Sequence, residues 1–244
     1  MRPRFKILAI VVLIHGFVSA SFGADPAATP VDKKDKFWKD RHAEILDLGK
    51  KGDGDIIFLG DSITQEWDTS GKFVWKERWE PLKAVNFGIS GDRTQHVLWR
   101  VTEGKELAGL KPKLVVLLIG TNNLGSDRAG AVGPEGNSAE EIADGVATIL
   151  AAVAKQSPQT PVLLLGILPR GAEAGAPVRS RIKDVNGRLA KLADGQKVRF
   201  ADVGSKFVDD KGNLQADLLP DALHLSPKGY QVLAEALRGE IERR

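Results

Sequence analysis

Beyond the first 24 residues, five short apolar runs punctuate the chain, each closed by glycine or small polar residues. Asp55–Leu59, Ala84–Phe87, Lys113–Ile119, Pro161–Leu168 and Val198–Val203 read as strands, the last the weakest. Between and around them, apolar positions recur every three or four residues. That period predicts helices over Asp32–Lys51, Thr94–Leu107, Ser138–Lys155, Val178–Ala193 and Pro227–Arg243. Ser138 with Glu141 three residues on is a capping box for one of them. Runs of Val, Ile and Leu without polar alternation are strands buried on both faces, and strands alternating with helices make a parallel sheet with helices on each side. No repeat or second domain interrupts the pattern, so residues 32–244 read as one α/β domain behind an Asp/Pro/Ala/Thr linker at 24–31.

The N-terminal segment follows a different rule. Arg2, Arg4 and Lys6 precede an apolar run from Ile7 to Val18 and small residues from Ser19 to Ala24. A basic head, a short apolar middle and small residues at the cut describe a signal peptide over 1–23, with cleavage after Ala20 or Gly23 and a secreted or periplasmic product. The run is short for a spanning helix, so no stable membrane insertion is expected after cleavage. Removing the three basic residues of the head from the 35 in the chain leaves 32, equal to the 32 acidic ones. The apparent basicity then vanishes, and with it any electrostatic case for nucleic acid. The chain has no cysteine; disulfides, thiolate metal sites and a cysteine nucleophile are excluded together.

The polar residues cluster where strands end. Gly60-Asp61-Ser62, Gly88 to Asp92 and Gly120 to Asn123 each follow a strand, and Asp221 to His224 precede the last helix. In an open parallel sheet the site lies beyond the carboxyl ends of the strands, so four distant loops are expected on one edge. Histidine is scarce. His15 belongs to the leader, His42 sits among charges on a presumed solvated helix face, and His96 follows the second glycine loop. His224, three residues after Asp221, is the candidate general base: a carboxylate at that spacing reaches Nδ1–H if the segment makes one turn, leaving Nε2 to accept a proton. Ser62, directly after a buried strand and entering a helix, is the candidate nucleophile, and a helix N-terminus favours the negative charge of acyl transfer. The N–H groups of Ser62 and Gly91 and the amide of Asn122 are candidate oxyanion donors. Taken singly, Ser62 or Asp61 is more often an N-cap, and Gly91 or Asn122 a turn residue.

Four segments carry a family resemblance: GDSIT (Gly60–Thr64), NFGISGDRTQHVLWR (Asn86–Arg100), GTNN (Gly120–Asn123) and DALHLSPKGY (Asp221–Tyr230). They resemble, in order and spacing, the four blocks of the GDSL or SGNH hydrolases. With LGILPRG (Leu165–Gly171) they are most similar to the catalytic subunits of platelet-activating-factor acetylhydrolase Ib. The resemblance implies a flavodoxin-like, three-layer α/β/α fold with a five-stranded parallel sheet. It gives Ser62, Asp221 and His224 the triad roles and Ser62, Gly91 and Asn122 the oxyanion hole, with no metal and no cofactor. It implies a serine esterase acting on short-chain, acetyl esters of a small molecule or glycan, which the leader would make secreted. A carbohydrate O-acetylesterase (polysaccharide or sialic acid) is one alternative, and a catalytically inactive carbohydrate- or partner-binding fold is another of a different class. A homodimer follows by analogy only. Ile63, Asn123 and Leu223 are candidates for the substrate pocket, and Trp67 or Trp75 for stacking on a sugar. Leu124–Asn137 is longer and more glycine-rich than the family pattern and borders the expected site.

Overall fold

The computed structural model describes residues 27–52, 54–125 and 136–243. The expected signal peptide and the first residues of the linker lie outside them, as does most of Leu124–Asn137. Five strands, β1 (Ile56–Gly60), β2 (Ala84–Gly88), β3 (Leu114–Leu118), β4 (Val162–Leu165) and β5 (Val198–Ala201), form one parallel sheet in the order β2-β1-β3-β4-β5. The α/β fold with a five-stranded parallel sheet is therefore as expected. Alternate residues explain why the strands read as unbroken apolar runs. Ile57, Leu59, Val115 and Leu117 point into one core with α1 (Lys36–Lys50), α4 (Thr94–Val101), α5 (Ala139–Gln156) and α6 (Pro177–Leu189). Ile56, Phe58, Leu114 and Val116 point the other way, into a second core with α3 (Lys72–Arg78) and α7 (Pro227–Glu242).

The strand order places the chemistry. The chain runs from β1 to β2 on one side and from β2 back past β1 to β3 on the other, so a crevice opens beyond the carboxyl ends of β1 and β3. The short helix α2 (Ser62–Gln65) starts there, directly after β1. Its cap is Asp61, whose Oδ1 accepts the Ile63 N–H at 3.0 Å, while Oδ2 is buried with no partner among the described residues. Burial pushes this carboxyl up to about 7, helped by the nearby charge of Asp92.

Three helix boundaries differ from the expected ones. The first helix starts at Lys36 rather than Asp32, with Asp35 as its cap. The helix expected over Thr94–Leu107 ends at Val101, and the chain then folds back through Lys105 in the left-handed region (φ 60°). That reversal delivers Glu106 to Arg100, an internal pairing that periodicity does not encode. The last turn expected at Ala190–Ala193 is 3-10 rather than α. Helix α3, seven residues long and without a side-chain cap, has no counterpart in the sequence reading.

Arg100 is fully buried and all five of its N–H donors are used. Nε and Nη2 bind Glu106 at 2.8–3.0 Å, and Nη1 binds Asp92 Oδ2 at 2.8 Å and the Gly60 carbonyl at 3.2 Å. Nη2 also donates to the Phe87 carbonyl. One guanidinium thus joins the ends of β1 and β2 to the loop after β2. Burial opposes its charge, but the Glu106 and Asp92 carboxylates outweigh that cost and hold it protonated. His42 is corrected by the same cluster: it is largely buried, its Nδ1 is 2.7 Å from Glu106, and it stacks on Trp38 at 5.4 Å.

Two outcomes follow. Arg100→Lys, which keeps the charge but cannot reach all these acceptors, lowers unfolding stability by about 3 kcal/mol or more in denaturant titration, since it strands buried carboxylates; a loss under about 1 kcal/mol contradicts this role for the network. For Asp61 the folded pKa, about 7, exceeds the unfolded carboxyl value, so the folded state holds the extra proton. Stability from this group is present below about pH 4 and is lost as pH rises to about 7, roughly 4 kcal/mol in all. Asp61→Asn, which retains the capping oxygen, therefore raises Tm relative to the parent near pH 8 but not near pH 4, by differential scanning calorimetry; an equal offset at both pH values refutes the assignment.

Candidate active site

Ser62 is the first residue of α2, 4% exposed, with its Oγ 3.0 Å from His224 Nε2. Only glycine fits before the cap: a Cβ on Gly60 would stand 2.3 Å from the Leu118 carbonyl and from Thr64 Oγ1. β1 and β3 therefore stay close, and the chain turns at once from strand to helix.

The imidazole arrives from the far end of the chain. Asp221 Oδ1 accepts the N–H groups of Leu223 (3.0 Å) and His224 (2.6 Å), closing a tight turn. Its Oδ2 lies 2.7 Å from His224 Nδ1. The turn holds Ala222 at φ 60°, a conformation that costs a non-glycine residue about 1–3 kcal/mol and persists where its surroundings fix it. Burial works against the Asp221 charge, but hydrogen bonds from the His224 ring and backbone N–H prevail and hold its carboxyl below the usual range. Behind the turn, Ser226 caps α7, and the chain's single tyrosine, Tyr230, donates to the Ile63 carbonyl at 2.7 Å. α7 is thus bonded directly to the helix that carries Ser62.

The glycine loop and the 120–125 turn complete the crevice. Gly91 adopts φ 73°, where a side chain would be strained. Gln65 Oε1 accepts the Ser90 N–H at 2.7 Å, fixing the loop beside Ser62. Asn122 Nδ2 gives one hydrogen to the Asp92 carbonyl at 2.8 Å, which orients the amide and leaves its second hydrogen to other acceptors. Ser62, Ser90, Gly91, Asn122, Gly125, Arg170, Leu223 and His224 enclose a recess of about 220 Å³. Ser62, Gly91, Asn122, Leu223, His224 and, behind His224, Asp221 are therefore together.

Other sequence candidates lie elsewhere. Ile63 is in the second core, and Asn123 is fully buried, bonding Thr94, Gln95 and Asn137. Neither lines the recess. Trp67 and Trp75 are buried in a cluster with Phe58 and cannot stack on a sugar. His96 accepts the Arg93 N–H through Nδ1 as the cap of α4, and burial, with the charges of Lys33, Arg93 and Arg100, lowers its pKa to about 4. Arg170, not singled out by sequence beyond its LGILPRG segment, lines the recess and donates to the Thr121 and Gly125 carbonyls at 3.1 and 2.9 Å. It clasps both ends of the turn that presents Asn122. Glu66, four residues after Ser62, brings Oε1 to 4.0 Å from His224 Nε2.

Comparison with known proteins agrees with this architecture. The alpha1 subunit of human (Homo sapiens) platelet-activating factor acetylhydrolase IB is 35% identical over 224 residues, 90% of each chain. A GDSL-like lipase from Bacteroides thetaiotaomicron superposes with a TM-score of 0.65 at 23% identity, covering 84% of this chain and 97% of its own. The acetylxylan esterase Axe2 from Geobacillus stearothermophilus superposes with a TM-score of 0.60 at 20% identity, covering 77% and 95%. At those identities the two structures bear on the fold alone. The relatives correct one expectation: platelet-activating factor acetylhydrolase IB subunits are intracellular, which points against a secreted or periplasmic location for this chain. The sequence profile of the GDSL-like lipase/acylhydrolase family matches residues 58–232, nearly the whole sheet and all four polar clusters. The chain therefore belongs to the GDSL-like lipase/acylhydrolase family and is a carboxylic ester hydrolase.

Proposed function

We propose that the protein hydrolyses short-chain, chiefly acetyl, esters through a Ser62–His224–Asp221 triad and an acyl-enzyme. The observation that carries this reading is the hydrogen-bonded line from Ser62 Oγ through the two nitrogens of His224 to Asp221, at 3.0 and 2.7 Å. Asp221 holds the proton on Nδ1, which leaves Nε2 as the acceptor for the Ser62 hydroxyl proton. Ser62 Oγ attacks the ester carbonyl, and the N–H groups of Ser62 and Gly91 with the Asn122 amide stabilise the resulting oxyanion. The imidazolium then protonates the departing alcohol. Water, deprotonated by His224, attacks the acyl-enzyme and releases the acid. The inactive binding fold loses its ground, since a purely binding module has no use for an aligned Ser-His-Asp line.

The short acyl preference rests on size. A recess of about 220 Å³ lies below the usual 300–1,000 Å³ of small-molecule pockets, and Leu223 supplies apolar wall beside Ser62. The acetylxylan esterase and the acetylhydrolase subunits, by their names, both act on acetyl esters.

Hydrolysis of p-nitrophenyl acetate, butyrate and octanoate is the test, with acetate the best substrate. Ser62→Ala and His224→Ala lower kcat by ~10³–10⁶, Asp221→Asn by ~10⁴ through the wrong tautomer, and Asn122→Ala by ~10²–10³. Undiminished turnover by Ser62→Ala sinks the nucleophile assignment. A normal rate with Asn122→Ala removes the oxyanion donor alone, and preference for octanoate refutes the short-acyl reading.

A further inference from the structure

We infer that Glu66 selects the alcohol half of the substrate, favouring esters whose leaving oxygen has a free hydroxyl on the neighbouring carbon: monoacetylated polyols and sugars. The inference rests on the triad proposed above. To leave, the alcohol oxygen takes a proton from His224 Nε2 and so lies within about 3 Å of that nitrogen. Glu66 Oε1 stands 4.0 Å from the same nitrogen. A hydroxyl on the carbon adjacent to the one bearing the leaving oxygen is then within hydrogen-bond reach of the carboxylate, and an alkyl or aryl alcohol has no donor to offer there.

The position is fixed by the fold. Glu66 follows α2 by one residue and opens a 3-10 turn, and its own carbonyl accepts the N–H groups of Thr69 and Gly71. The side chain is 31% exposed, so it is reached from solvent but poorly hydrated. Burial raises its carboxyl above the usual range, with His224 pulling it down and Asp221 adding to the rise. A half-buried carboxylate of this kind is stabilised by a donor that replaces lost water.

The surroundings distinguish between donors. A quaternary ammonium is best held by the faces of Trp, Tyr or Phe, and the described residues lining the recess include none of these. A phosphorylated alcohol would bring its negative charge against Glu66. Ser90, Asn122 and Arg170 make the remainder of the recess polar, which suits a hydroxyl-bearing alcohol.

The experiment compares kcat/KM for glycerol monoacetate and n-propyl acetate, which share a three-carbon alcohol and differ in the hydroxyls, with acetylcholine as a third substrate. The parent prefers glycerol monoacetate, and Glu66→Leu reduces that preference roughly tenfold or more, the loss of one charge-assisted hydrogen bond. Glu66→Gln, which matches the parent in size and retains an acceptor oxygen, reduces it by less. An unchanged ratio of the two acetates in both variants overturns the inference, as does equal loss on both, which would place Glu66 behind His224 rather than against substrate. A larger loss on acetylcholine than on glycerol monoacetate overturns it in favour of a cation site. Activity persisting in Ser62→Ala would instead refute the triad, a result separable from any change in ratio.

Discussion

The guanidinium of Arg100 is the contact on which the site's geometry depends. It sits where β1 and β2 end and satisfies carbonyls of both, Gly60 and Phe87, while holding Asp92 and Glu106. Taking one cation and two carboxylates out of water is expensive, and the arrangement is tolerable because every donor is used. Its consequence is reach. Gly60 leads through Asp61 to Ser62, and the Asp92 carbonyl receives the Asn122 amide. Ser62 and Asn122, which follow different strands, are thus referred to a single buried charge. Trp38 and Lys33 close the cluster on Asp92, so helix α1 and the segment before it are tied into the same frame.

The other half of the site is brought in over a long loop of sequence. Ser62 and His224 are 162 residues apart, and what joins them is the packing of α7 on the second core. Tyr230, fully buried, converts that packing into a hydrogen bond to the backbone of α2. The strained Ala222 and the three hydrogen bonds on Asp221 set the direction of the imidazole within the turn. A rigid edge and a positioned imidazole are what the proposed acyl-transfer chemistry needs, since donors already in place avoid reorganisation during the reaction.

Much of this was legible from residue pattern. Strands buried on both faces announce themselves as unbroken Val, Ile and Leu, and polar clusters at their ends mark the functional edge. Short-range chemistry was legible too: Asp221 and His224 sit at a spacing that one turn converts into contact, and the Ser138–Glu141 box caps α5 as expected. Contacts made across the fold were not. Nothing local to Lys105 announces that the chain reverses to put Glu106 on Arg100, nor that His42 turns inward to meet it. Ile63 and Asn123 flank the motif residues in sequence, yet helical and turn geometry points them into the core, while Arg170 reaches the recess from the segment after β4. The tryptophans read mostly as core, with Trp67 or Trp75 open to stacking on a sugar; the aromatic packing around Phe58 decides for core at both.

The central claim is that Ser62 becomes covalently acylated, and rapid acid quench of the enzyme with an acetyl ester, followed by peptide mass spectrometry, tests it most directly. The account predicts an acetyl adduct of about 42 Da confined to the peptide containing Ser62, accumulating most when deacylation is slowed and lost when Ser62 is replaced by alanine. Turnover of the same ester with no adduct on that peptide, or with an adduct on another residue, would contradict it.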